Sequence, residues 1–159
     1  MSERIKKKFK KKGKKLITFT TGGDPDLNTS LEILKTIINN GIDIIEIGMP
    51  FSDPMADGPT IQESSVRSLA NGTKINDIFE LVMNIRKFNN EIPIILMGYY
   101  NSIFNLGIDN FTAKCAVTGV DGLIIVDLQP EEDLELLTKT KEKGIDLIRL
   151  ITPTTDQKR

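Results

Sequence analysis

Two carboxylic acids in this chain sit where acid/base chemistry is expected. Glu46 is the one charged residue in Ile44-Ile45-Glu46-Ile47-Gly48, an otherwise apolar, β-branched run. If the run is a strand, alternation puts Ile44, Glu46 and Gly48 on one side and Ile45 and Ile47 on the other. A carboxyl group among apolar side chains is favoured in its neutral form, so its pKa rises, which suits proton transfer near neutral pH. A Lys or Arg partner would satisfy the same residue structurally, and the sequence leaves both readings open. Asp57 lies in the loop from Met49 to Pro59, whose three prolines, one glycine and two aspartates fix turns rather than continue a strand. Asp57 is either a second functional carboxylate or the N-cap of a helix opening at Pro59. Asp53 precedes a proline and is expected to organise the loop.

Tyr99 and Asn101 directly follow another apolar run and offer an aromatic face and hydrogen-bonding groups to a planar ligand, although packing is the commoner use of such a tyrosine. Thr20-Thr21-Gly22-Gly23-Asp24-Pro25 is a weak phosphate-loop candidate, because it lacks the spacing of a dinucleotide or P-loop signature. There is no histidine, and Cys115 is the single cysteine. That leaves no internal disulfide, no cysteine/histidine zinc cluster and no imidazole base.

The elements that must position these residues are legible as a rhythm. Leu16–Thr20, Ile44–Ile47, Ile94–Met97, Leu123–Val126 and Leu147–Ile151 are continuously apolar, as strands covered on both faces read. Amphipathic stretches at Leu27–Asn40, Ile75–Phe88, Asp109–Thr118 and Glu131–Lys143 separate them. Alternation of this kind implies a parallel sheet with right-handed crossovers, either an open doubly wound sheet or part of a barrel. Strand starts fall about 28, 50, 29 and 24 residues apart, and the long second interval leaves room for a loop and an extra helix. The polar clusters all follow strands, the end at which parallel barrels build active sites. The chain is read as a single domain over 1–159.

Nine of the 21 basic residues lie between Arg4 and Lys15, so the remainder is acidic. The lysine run is read as a short solvated helix that docks through Ile5 and Phe9 and ends at Gly13, rather than as a nucleic-acid or lipid arm. No run reaches the roughly 20 apolar residues of a membrane span, and no signal peptide is visible, so the expected location is cytoplasmic, with neither nucleic acid nor membrane as partner.

The string IEIGMPFSDPMADGPTIQ closely resembles the signature of the tryptophan synthase alpha subunit family. FTTGGDP resembles that family's first loop, GYYNSIFNLGIDNF its third, GVDGLIIVDLQPEED its fourth, and ITPTTDQKR its fifth strand and following loop. The resemblance implies a (β/α)8 TIM barrel and a lyase of tryptophan biosynthesis that cleaves indole-3-glycerol phosphate to indole and glyceraldehyde 3-phosphate. It implies that Glu46 shuttles a proton between the glycerol hydroxyl and the indole ring carbon. It likewise assigns Asp57 to stabilising the indolenine, and places Phe19, Tyr99 and Asp127 at or near the substrate. No cofactor or metal is expected on this chain. The family's pyridoxal phosphate resides on the beta subunit, the expected partner in an alpha2beta2 complex.

Two departures fall in loops that in the family meet the beta subunit: Ser102 and Gln129 stand where proline is usual. The larger departure is length, since a barrel of this type takes about 250 residues and this sequence is expected to supply five strands, an N-terminal helix and two open edges. Besides the lyase, the sequence therefore allows a truncated, non-catalytic form that docks on the beta subunit. The βα rhythm alone would permit another phosphate-binding barrel lyase or isomerase.

Overall fold

The computed structural model describes residues 1–156. Helix α1 (Glu3–Lys10) precedes β1 (Ile17–Thr21), α2 (Leu27–Asn39), β2 (Ile44–Gly48), α3 (Pro59–Ala70) and α4 (Ile75–Phe88). The chain continues with β3 (Ile94–Gly98), α5 (Tyr100–Leu106), α6 (Ile108–Thr118), β4 (Gly122–Ile125), α7 (Leu134–Glu142) and β5 (Asp146–Ile148). The five strands form one all-parallel sheet in the order β1-β2-β3-β4-β5, so each crossover lands beside the strand it left. This is four consecutive βα units of a barrel followed by a fifth strand, with β1 and β5 as edges.

Strand alternation divides the apolar residues into two layers. Ile45, Ile47, Leu96 and Leu123 join the faces of α2, α4, α6 and α7 in one large buried cluster. Ile44, Ile95 and Ile124 point the opposite way and meet Ile5 of α1 in a second, smaller cluster. The helices form because their apolar positions recur at helical spacing and because their ends are capped. The Asp26 carboxylate accepts from the Thr29 amide at 2.9 Å to open α2, and Gly119, at φ +88°, closes α6 in the left-handed region that glycine tolerates.

The amino end of the sheet is closed by α1 and a polar knot. Asp121, buried before β4, accepts from Ser2 Oγ at 2.6 Å, Arg4 Nη1 at 3.2 Å, Arg86 Nη2 at 2.5 Å and the Ile94 amide at 2.9 Å. Three sequence expectations shift here. Helix α1 ends at Lys10, not Gly13. Phe9 shares the face of Ile5 but remains 58% exposed, because it stands beside edge strand β1, whose Ile17 is itself 41% exposed. A helix over Tyr100–Leu106, read from sequence only as a polar strand end, follows β3 at once. No described helix is long and apolar enough to cross a membrane.

Candidate active site at the carboxyl end of the sheet

Glu46 is the middle residue of β2 and lies on its inner face. Ile44, two residues before it, belongs to the inner cluster, while Ile45 and Ile47 are buried beneath the helices. In the parallel register Glu46 stands opposite Phe19 of β1 and Ile95 of β3. Its carboxyl opens into the hollow on the inner face of the sheet, a cavity of about 720 Å³ whose wall is otherwise mainly apolar, including Ile17, Ile44, Ile95 and Ile148. Burial raises its pKa above the ordinary glutamate value. Among the described residues no Lys or Arg pairs with Glu46, so the alternative of a structural ion pair is not realised there.

Asp57 lies beyond the carboxyl end of β2, half-buried in a narrow cleft that it shares with Phe19, Gly48, Ser65, Met97 and Tyr99. The capping alternative does not hold: the N-cap of α3 is Gly58, with Pro59 at the first helical position and no side-chain cap. Instead the Asp57 backbone carbonyl accepts from Gln62 Nε2 at 2.7 Å. The Asp57 carboxylate faces the phenol of Tyr99, whose pKa is raised first by burial and then by that neighbouring negative charge.

Tyr99, 3% exposed, does more than line the cleft. Its hydroxyl oxygen accepts from the Ala56 amide at 3.1 Å, and its ring stacks on Phe51 with centroids 5.1 Å apart. Both contacts hold the 49–58 loop over the mouth. Phe19 links the two carboxyls, standing opposite Glu46 in the sheet while its ring reaches Gly48 and the cleft of Asp57.

Asp127 stands one loop away, exposed after β4, where its Oδ1 accepts from the Tyr100 amide at 2.8 Å and satisfies a free donor at the start of α5. Asn101 is exposed on α5 and accepts from Asn105. Asp53 is exposed and accepts from its neighbour Ser52. The glycine loop after β1 spends its polar groups internally: Gly22 donates to the Gly48 carbonyl at 2.9 Å and Gly23 to Ser30 Oγ at 3.1 Å. Phe51, Gln62 and Ser65 were not singled out from sequence. Only the aromatic character of Phe51 in a loop of prolines and aspartates signalled it.

Ser102 donates its amide to the Tyr99 carbonyl at 3.3 Å, a bond proline could not make. The opening turn of α5 is thus tied through its backbone at the position where the sequence departs from the family pattern.

Residues 5–159 match the family model described as tryptophan synthase alpha chain. The tryptophan synthase alpha chain of Zymomonas mobilis is 51% identical over 144 residues, which is 91% of this chain and 53% of that protein. Among solved structures, tryptophan synthase subunit alpha from Legionella pneumophila superposes with a TM-score of 0.95 at 38% identity, over 98% of this chain and 61% of that one. A chain of the tryptophan synthase complex from Pyrococcus furiosus gives 0.86 at 41% identity, over 91% and 59%. The chain thus spans somewhat over half the length of the relatives it matches.

Proposed function

The chain belongs to the tryptophan synthase alpha chain family, and on that premise we propose that its site serves the retro-aldol cleavage of indole-3-glycerol phosphate to indole and glyceraldehyde 3-phosphate. The observation that carries the reading is a pair of carboxyls supplied by β2 and the loop after it, in neighbouring cavities with Phe19 between them. Glu46 is a carboxyl whose burial favours the protonated form, while Asp57 is a carboxylate beyond the strand end, lining the same cleft as Phe19 and Tyr99.

In this reading Glu46 delivers its proton to the ring carbon that bears the glycerol chain. The ring nitrogen of the resulting indolenine is electron-poor, and the Asp57 carboxylate stabilises it. The Glu46 carboxylate then takes the proton of the hydroxyl next to the ring. That oxygen's electrons form the aldehyde, the carbon–carbon bond breaks, and its electron pair returns to the ring. One bond is cleaved, indole and the phosphorylated aldehyde leave, and Glu46 is protonated again. Phe19 and Tyr99 hold the planar ring, and Asp127 orders the neighbouring loop.

No residue of the described chain is assigned a cofactor, and pyridoxal phosphate belongs to the beta subunit proposed as partner. Exposed Met55 on the loop after β2 and Phe104 on α5, 78% and 68% accessible, suit docking there, and the cytoplasm is the proposed location. Indole formation from indole-3-glycerol phosphate tests the reading, measured on the chain alone and fused to the remaining portion of a relative's alpha chain. Turnover in the fusion that survives Glu46→Gln unchanged would remove Glu46 from the mechanism.

A further inference from the structure

Helix α3 is seated on hydroxyl groups rather than on apolar side chains. Its buried residues are Ser64, Ser65 and Ser68, while Val66 is 62% exposed. Ser64, Arg67, Ser68 and Asn71, spaced at i, i+3, i+4 and i+7, form one stripe along the helix, and every one of them bonds the segment Thr21–Pro25. Ser68 Oγ donates to the Gly22 carbonyl at 2.7 Å, and Arg67 grips both oxygens of Asp24 at 2.8 and 2.9 Å. Asn71 Nδ2 donates to the Pro25 carbonyl.

Ser64 Oγ lies 2.6 Å from Thr21 Oγ1 and also donates to the Ile61 carbonyl at 2.8 Å. A hydroxyl has one proton, so in that pair Thr21 donates and Ser64 accepts. Gly23 lets the two surfaces come this close: a β-carbon there would stand 2.8 Å from Ser68 Oγ, and its φ of +77° disfavours any side chain. Apolar packing tolerates sliding, whereas the short bonds of the two buried serines fix register, with the Arg67 and Asn71 bonds at the exposed edge of the seam.

The seam also has a route to the site. Gln62, on the first turns of α3, holds the Asp57 carbonyl, and the Thr21–Gly22 end is bonded through Gly22 to the carbonyl of Gly48 on β2. We propose that Ser64 and Ser68 are positioning residues, which lock α3 to the loop after β1 and thereby set the depth of Asp57 in the mouth relative to β2. This rests on Asp57 being the anionic group of the proposed reaction, and adds the element that aims it. An anion misplaced by about 1 Å can cost on the order of a hundredfold in rate.

The test is hydrogen exchange of the Ala56 amide on the intact chain, read beside the amides of Ile47 and Leu96 in the core. Ser64→Ala and Ser68→Ala are expected to speed Ala56 exchange by about tenfold or more while the core amides stay protected. Ser64→Thr, which keeps the hydroxyl, restores slow exchange. Ala56 exchange unchanged in both alanine variants, with only global stability reduced, would overturn the proposal. Should the serine variants fail to fold, Gln62→Ala on the exposed face decides, since it cuts the same route, and an Ala56 amide as protected as in the parent chain overturns it equally. None of these readouts depends on turnover. A fusion enzyme indifferent to Asp57→Asn would refute the reaction assigned to Asp57 and leave the exchange result standing.

Discussion

Gly48 is the floor on which the ring of Phe19 rests: a β-carbon built at Gly48 would lie 2.6 Å from Phe19 Cζ. The obstructing atom is the far end of a side chain and can move, so Gly48→Ala is expected to cost stability only modestly, about 1 kcal/mol, near the low end for overpacking. The displaced ring then enters the cleft of Asp57. Urea denaturation is expected to show the small loss, while indole formation in the fusion enzyme falls much further, mainly through KM. Equal and small losses in both would show that the ring's position is unimportant.

Glu46 links catalysis to pH-dependent stability. Its pKa in the fold lies above the ordinary glutamate value, so through the interval between those two values the folded chain holds a proton that the unfolded chain has released. Stability therefore falls as pH rises across that interval and stays lowered above it. Glu46→Gln is expected to remove this dependence, leaving the variant at least as stable as the parent at neutral pH and indistinguishable below the ordinary value. Its turnover in the fusion is expected to drop by at least about a hundredfold, the typical contribution of a proton-transferring group. Thermal melts from pH 3 to pH 8 alongside indole assays check both halves.

Asp57 and Tyr99 constitute a second electrostatic pair. The phenol is held up first by burial and then by the negative charge beside it. Asp57→Asn removes the second cause only, so the Tyr99 titration midpoint is expected to move down yet remain above that of free tyrosine. With two tyrosines and no tryptophan in the chain, ultraviolet absorbance in a Tyr100→Phe background resolves it. No movement would mean the two groups are not neighbours in solution.

Tyr99 also carries the loop. Tyr99→Phe keeps the stacking on Phe51 but removes the acceptor of the Ala56 amide. The expected loss is about 1 kcal/mol, that of one hydrogen bond, with increased proteolysis between Phe51 and Asp57. Cleavage there at the parent rate would argue against the clamp.

What could be read in the sequence follows the strength of each local signal. Four strands and the inward face of Glu46 were legible because β-branched runs and period-two alternation are intrinsic to the chain, as was the helix over Ile75–Phe88, found with those bounds. The fifth, read as Leu147–Ile151, is the edge strand Asp146–Ile148, and Ile151 beyond it is exposed because no described strand covers it. Helix α5 was not, because Tyr100-Asn101-Ser102 resembles a turn and its first amide is satisfied from afar by Asp127. The capping alternative for Asp57 could be decided only in three dimensions, since Asp57 and Gly58 both suit an N-cap. The hydroxyl stripe of α3 was illegible for a different reason: serine is ordinarily a surface residue, and only the carbonyl and hydroxyl of Gly22 and Thr21 reveal it as buried structure. Phe9 misled because helical spacing gives the face but not what lies opposite.

Asp121 is the strongest candidate for a residue that stabilises the fold without entering the chemistry. It lies at the end of the sheet opposite Asp57 and gathers two guanidinium groups, a hydroxyl and a backbone amide. Arg86 is largely buried, and desolvation depresses its pKa to about 10 despite the carboxylate beside it, so it remains charged at neutral pH. Asp121→Asn keeps the shape but withdraws the negative charge, leaving Arg86 buried without compensation. Breaking a buried pair in this way costs about 3–5 kcal/mol, a large fraction of the stability of a domain this size. Denaturant titration is expected to show a lower midpoint with an unchanged slope. The Tyr99 midpoint at the far end of the sheet is expected to stay where it is, and a shift of it would mean that the two ends of the sheet are coupled.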